Sequence, residues 1–366
     1  MNSARNSNAR GKLSVFLVVL AVILMNDSAA AGKTVYVDDD GPADFNNIQA
    51  AIDDANDGDV IIVKPGRYFE AVYFGGKNLT LTSTKPDNSG IEQSTTISGH
   101  SSWRPVTFQG SEGALCRLTG FRIMNGRTEE SGGAILGNGA YATIENCIIT
   151  ENCADENGGG LAKCHGRISN CVISNNAALD KGGALYNCGG TIINCTIARN
   201  ESLLLENAAV QNCRGEIKNC IFFLNAHYDL HNSSNPTYSC YKGATGLGNI
   251  DADPSFVDGQ PLIVTDCHLK SQAGRYDPLT QGWVYDDVTS PCIDAGDPMS
   301  PMGHEPFPSG GIINMGAYGG TDEASKSYFG EPPCETIVAG DINSDCEVNY
   351  LDFRLMALHW CEDNNP

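Results

Sequence analysis

The strongest chemical signal in this 366-residue chain is a set of oxygen-bearing side chains at fixed intervals near its C-terminus. In Asp341-Ile342-Asn343-Ser344-Asp345-Cys346-Glu347-Val348-Asn349-Tyr350-Leu351-Asp352 they fall at loop positions 1, 3, 5, 9 and 12. A loop of that spacing wraps Ca2+, a hard cation that collects roughly six to eight oxygens, and the Glu347 carbonyl stands at position 7. Position 6 is Cys346, where a calcium loop usually has Gly for its sharp turn. The spacing predicts Ca2+ held by Asp341, Asn343, Asp345, Glu347, Asn349 and Asp352. A helix is expected to follow from about Leu351 to Trp360, with Leu351, Leu355 and Leu358 at helical spacing.

A second cluster is basic. Lys163, His165 and Arg167 lie close together, and Lys181, Arg199, Arg214 and Lys218 follow in the same stretch. A basic side chain beside a carboxylated sugar can remove the proton α to the carboxylate, with a cation lowering that proton's pKa. Lys163, His165 and Arg167 are therefore the candidate catalytic residues, set against ordinary solvated positions. Asp38-Asp39-Asp40 and Asp286-Asp287 read as exposed charge. Asp251 and Asp253 make a further candidate calcium site within a segment otherwise expected to plug an end.

The basic cluster sits on a repeat. Ile144-Glu145-Asn146-Cys147, Ile168-Ser169-Asn170-Cys171, Ile192-Ile193-Asn194-Cys195 and Ile217-Lys218-Asn219-Cys220 recur, preceded by Leu118-Thr119-Gly120-Phe121, at offsets of 26, 24, 24 and 25. Gly132-Gly133, Gly158-Gly159 and Gly182-Gly183 keep step with them, as do Cys164, Cys188 and Cys213. Short β-branched runs separated by Gly and Asn, at this period, predict an all-β solenoid whose every coil is three short parallel strands. Stacked coils would align the cysteines in two columns. A thiol suits a narrow apolar core, so buried, reduced columns are expected over disulfides, and no Cys-x-x-Cys pair marks a metal cluster. Asn146, Asn170, Asn194 and Asn219 are expected to form a turn ladder with amides bonded along the axis.

The ends read differently. Three basic residues, an apolar run from Leu13 to Met25 and a small-residue exit at Ala29-Ala30-Ala31 predict a secretory signal over residues 1–31. That run is short of the ~20 residues a bilayer span needs. The formal charge of −21 excludes nucleic acid and anionic lipid as natural partners and favours cations. Ile48, Ala51, Ile52 and Ala55 mark an amphipathic capping helix with Asp44 as its N-cap, and Val60-Ile61-Ile62-Val63 a strand leading into a Lys64–Tyr68 turn. Residues 32–240 are thus the solenoid, 241–330 a loop-rich C-terminal cap, and 334–366 a small α-helical calcium-loop module that Cys334, Cys346 and Cys361 could staple.

The run Ile48-Gln49-Ala50-Ala51-Ile52, Gly58-Asp59-Val60-Ile61-Ile62-Val63 and Pro65-Gly66-Arg67-Tyr68 resembles the N-terminal entry of pectin-lyase-like right-handed parallel β-helix proteins. The likeness extends over about residues 34 to 225. It implies a right-handed helix and a superfamily of polysaccharide lyases, glycoside hydrolases, epimerases and non-enzymatic surface proteins. The phrases Gly248–Asp258, Ser290–Gly296 and Met315–Gly320 resemble the closing segment of secreted bacterial β-helix proteins. The C-terminal loop resembles one half of a dockerin, which implies a cohesin partner, although dockerins usually carry two such loops. The paired-carboxylate signature of polygalacturonase-like hydrolases is absent. The expectation is a secreted or cell-surface protein that binds polysaccharide and Ca2+, with a lyase or glycosidase, or a structural adhesin, as alternatives.

Overall fold

The computed structural model describes residues 32–204, 207–257, 266–328 and 348–359. The expected secretory signal, residues 1–31, residues 341–347 of the expected calcium loop, and Cys334, Cys346 and Cys361 lie outside these residues. Within them the chain winds into a parallel β-solenoid of about seven turns. An eight-stranded first sheet runs from Thr34–Val37 to Ile217–Lys218. The seven-stranded second sheet runs from Gly66–Tyr68 to Ile221–Phe223, and the seven-stranded third from Val72–Tyr73 to Tyr228–His231. At the core-facing positions the pairing stacks like residues in register, as in Ile144↔Ile168↔Ile192↔Ile217. A fourth sheet of four two-residue strands, from Arg127–Thr128 to Glu201–Ser202, broadens the corner between second and third sheets.

The repeat motif spans a corner instead of one strand. Asn146, Asn170, Asn194 and Asn219 take φ of 49°, 50°, 50° and 53°, a left-handed bend that Asn tolerates. Their amides, however, do not form the expected continuous axial ladder. Asn219 Nδ2 donates to Asn194 Oδ1, while Asn170 and Asn194 turn outward to the Gly319 carbonyl. The axial ladder is made instead by Asn152, Asn176, Asn200 and Asn225, whose Nδ2 groups donate to the next Oδ1 at 2.9, 3.0 and 3.1 Å. These three donors are also bonded to strand carbonyls inside the core, where nothing else would satisfy them.

Both cysteine columns are buried and free of disulfides, as expected. Cys171 and Cys195 point their thiols at backbone carbonyls of the previous coil. Burial pushes Cys171, Cys213 and Cys220 up and keeps them as thiols. Glycines let the coils close up. A Cβ at Gly190 would stand 1.9 Å from the Gly166 carbonyl oxygen, and one at Gly215 would stand 1.8 Å from that of Gly190.

Helix α1, Ile48–Asp54, caps the first coil with Ile48, Ala51 and Ile52 buried. Its N-cap is Asn47, not Asp44, whose carboxylate accepts the Tyr36 N–H instead. Gly66–Tyr68 is a strand of the second sheet where a turn was expected. A short helix unforeseen within a coil, α2 at Ser89–Ser94, interrupts the third turn.

Outward-facing Ile148, Val172 and Ile221 make one flank of the second sheet apolar, and it is covered. The chain beyond residue 240 returns lengthwise over that flank as a strap, packing Phe256, Leu269, Ile293, Met315 and Ala317 on it. Gly316 N–H donates to the Asn219 carbonyl, Ala317 N–H to Thr196 Oγ1, and Ser89 N–H to Glu323 Oε1 at the far end. Helix α3, Tyr350–His359, matches the expected helix within a residue at each end. It seats Leu355 against Gly311 of the strap, and Arg354 donates to the Pro298 carbonyl.

Candidate functional site

The corner between second and third sheets carries aromatic rings from successive coils. Phe69 leaves the strand Gly66–Tyr68, and His100 and Trp103 follow Thr95–Ser98 one coil on. Phe69 and His100 meet edge to face at 5.3 Å between centroids, and His100 and Trp103 lie 6.0 Å apart. Arg67 covers one face of Phe69 at 5.1 Å, a cation–π contact, and Phe69 is still 50 % exposed. His100 and its neighbour Ser101 hold φ of 51° and 54°, so the turn that presents the ring is bent into the left-handed region.

Trp103 opens into a polar cleft of about 570 Å3, lined also by Arg104, Arg127, Glu129, Glu130 and Asp155. The coils stack so that the Arg127 N–H donates to the Trp103 carbonyl, and Arg127 pairs with Cys153. Arg104 is a fixed wall: Nε donates to the Gly132 carbonyl and Nη2 to Thr128 Oγ1 and the Ser131 carbonyl, beside Glu130 at 3.3 Å. Arg127, with 59 % of its side chain exposed, faces Asp155 at 3.5 Å. Trp103 Nε1 and Asp155 Oδ1 are buried without a hydrogen-bond partner. Asp155 Oδ1 is the atom that faces Arg127, and the exposed Arg127, Glu129 and Glu130 side chains are the polar groups the cleft offers a ligand.

The sequence-predicted basic cluster is divided. Lys163 is exposed at φ 57° on the corner between third and first sheets. There His165 packs edge to face on Tyr141 at 6.0 Å. Arg167 lines a different groove of about 280 Å3, between the first sheet and the strap, together with Lys218, Asn194 and Ser300. Burial pulls Lys218 down, but Asp297 at 3.0 Å and Glu216 at 3.5 Å outweigh it and raise its pKa, so it is a fixed cation and not a base. Neither Lys163 nor His165 lines this groove.

Of the six expected calcium ligands, Asn349 and Asp352 are the two among the described residues. They form a reciprocal capping box at the start of α3: Asn349 Oδ1 accepts from Leu351 N–H, and Asp352 Oδ2 accepts from Asn349 N–H. Asp251 and Asp253 accept backbone N–H groups of Gly243 and Ser255, as turn residues do. Asp38, predicted exposed, is buried against Lys64 at 2.9 Å, while Asp39 and Asp40 are exposed.

Sequence reasoning passed over Phe69, His100 and Trp103 because they precede the clear repeat and sit in turns of unequal length.

A family model described as the right-handed β-helix region matches residues 105–248, in keeping with the parallel coils. The class is therefore an all-β parallel β-solenoid, similar over residues 105–248 to right-handed β-helix proteins. Among solved structures, pectin methylesterase from Aspergillus niger in deglycosylated form is 17 % identical, with 60 % of this chain and 83 % of that chain covered at a TM-score of 0.34. Pectate lyase Pel9A is 13 % identical, with 79 % and 96 % covered at a TM-score of 0.33. No curated protein matches the chain.

Proposed function

We propose that this protein binds a polysaccharide along the flank formed by Phe69, His100 and Trp103 and by the cleft of Arg127, Glu129 and Asp155. The observation that carries the reading is the aromatic row itself, built on two successive coils and opening into a cleft lined by charged side chains. Sugar rings pack their C–H faces on aromatic rings, and their hydroxyls bond to guanidinium and carboxylate groups together. Coils rise by about 4.8 Å, so the step from Phe69 to His100 follows the helix axis, and Trp103 extends the row along His100's own coil. The protein acts outside the cell, delivered by the segment 1–31. A dockerin-like tail carries Ca2+ on Asp341, Asn343, Asp345, Glu347, Asn349 and Asp352 and offers a surface to a cohesin-like partner.

A lyase reading rests on Lys163, His165 and Arg167, and the division of that cluster favours binding without cleavage. Retention on a panel of neutral and uronate polysaccharides tests both. Binding lost in Trp103→Ala and kept in Arg167→Ala supports the proposal. Release of unsaturated or reducing ends, abolished by Arg167→Ala, would replace it with an enzyme. Calorimetry with Ca2+ on the full chain should show uptake that Asp341→Ala removes.

A further inference from the structure

The far end of the strap holds a buried charge cluster that the proposed binding flank does not use. His268 is 1 % exposed, with Nδ1 2.5 Å from Asp266 Oδ1 and Nε2 3.3 Å from Glu323 Oε2. The second contact is an ion pair that lacks the alignment of a hydrogen bond. The imidazole stacks on Tyr318 at 3.7 Å and 9°, and Tyr276 of the strap hairpin approaches to 5.9 Å. Arg275 on that hairpin is paired with Asp286 at 3.2 Å. From the solenoid side, Glu323 takes the Ser89 N–H at the start of α2, and α2 adds buried Glu92, with Asp87 just before it. Further along the strap, Glu305 accepts N–H groups of Asn314 and Gly320 on Oε1 at 2.8 and 2.9 Å, while its Oε2 is buried and unpaired.

We propose that residues 266–328 are a proton-latched strap, seated on the second sheet through the buried His268–Asp266–Glu323 cluster and loosened as the pH rises. An imidazolium between two carboxylates holds strap to strap, and Glu323, fixed by it, joins the strap to α2 through the Ser89 N–H. Losing its proton leaves Asp266 and Glu323 facing a neutral ring in a dry site.

The directions agree. Burial works against charge on His268, but Asp266 and Glu323 outweigh it and raise its pKa. Such a group stabilises the fold fully below its unfolded value of about 6.5 and stops doing so as pH climbs through the folded value. Burial pushes Glu92 well above the carboxylate range and Glu305 up to about 8. Each then carries a proton in the fold that the unfolded chain has already released, so stability falls from about pH 4.5 upward. For Asp266, burial is outweighed by the His268 bond and the pKa is lowered, which sets the acid limit below about pH 4. The strap is tightest in mildly acidic solution. Loosening it uncovers Ile148, Val172 and Ile221, an apolar flank.

Hydrogen exchange on the full chain between about pH 5 and pH 9, corrected for the intrinsic rate, reads this directly. Peptides from 266–328 should lose about ten-fold or more protection toward the alkaline end, while coils 106–223 keep theirs. His268→Gln should lower strap protection at about pH 6 and flatten its pH dependence. Glu305→Gln keeps the acceptor without the ionisation and should move the loss to higher pH. Strap protection that stays constant with pH, or falls together with that of the coils, overturns the proposal. Should His268→Gln fail to fold, an unchanged pH profile in Glu305→Gln overturns it alone.

Discussion

At the scale of the residue, the fold depends on small polar groups placed where no water reaches. Asn176 shows why. Its Nδ2 donates to the Ile149 carbonyl and to Asn200 Oδ1, and its Oδ1 accepts from the backbone and side-chain amides of Asn152. Asn176→Ala would strand several of these groups in a buried site, and about 3 kcal/mol of stability should be lost in chemical denaturation. The sequence showed an asparagine column but pointed to the wrong one. Asn146 and its repeats are conspicuous because Cys follows each of them. Asn152, Asn176, Asn200 and Asn225 recur at the same period with varied neighbours, and only the inward direction of their side chains distinguishes them. The cysteines were legible because a small apolar side chain at a fixed coil position has one comfortable place, the core.

At the scale of the element, close stacking of corners decides which residues are allowed. Gly166, Gly190 and Gly215 touch backbone to backbone at the corner that leads into the first sheet. Gly190→Ala would press a methyl into the Gly166 carbonyl, which backbone cannot yield without opening the coil. The expected cost is about 3 kcal/mol, visible as a lower denaturation midpoint. The helix α1 was legible from its apolar stripe, while its cap was misplaced by three residues because Asn47 and Asp44 are both competent caps. Helix α2 was not legible: six residues carry too little periodicity to be seen. The basic cluster looked like one site because Lys163, His165 and Arg167 are adjacent in sequence. A corner intervenes, and it sends Arg167 to the strap groove alone.

At the scale of the molecule, a solenoid offers long flanks instead of a deep cavity, and what each flank does depends on what covers it. The apolar flank of the second sheet is covered by the strap, a stretch of irregular backbone whose course no period announces. The neighbouring corner is open and carries the aromatic row. A chain of charge −21 gains little from long-range attraction to acidic polymers, so contact chemistry along that row must supply the affinity. The most direct test is calorimetric titration of the full chain with an oligosaccharide from whichever polysaccharide retains it, comparing wild type with Trp103→Ala. Binding weakened about ten-fold or more in Trp103→Ala, with the fold intact by circular dichroism, is the expected result. Equal affinity in the two proteins would contradict it.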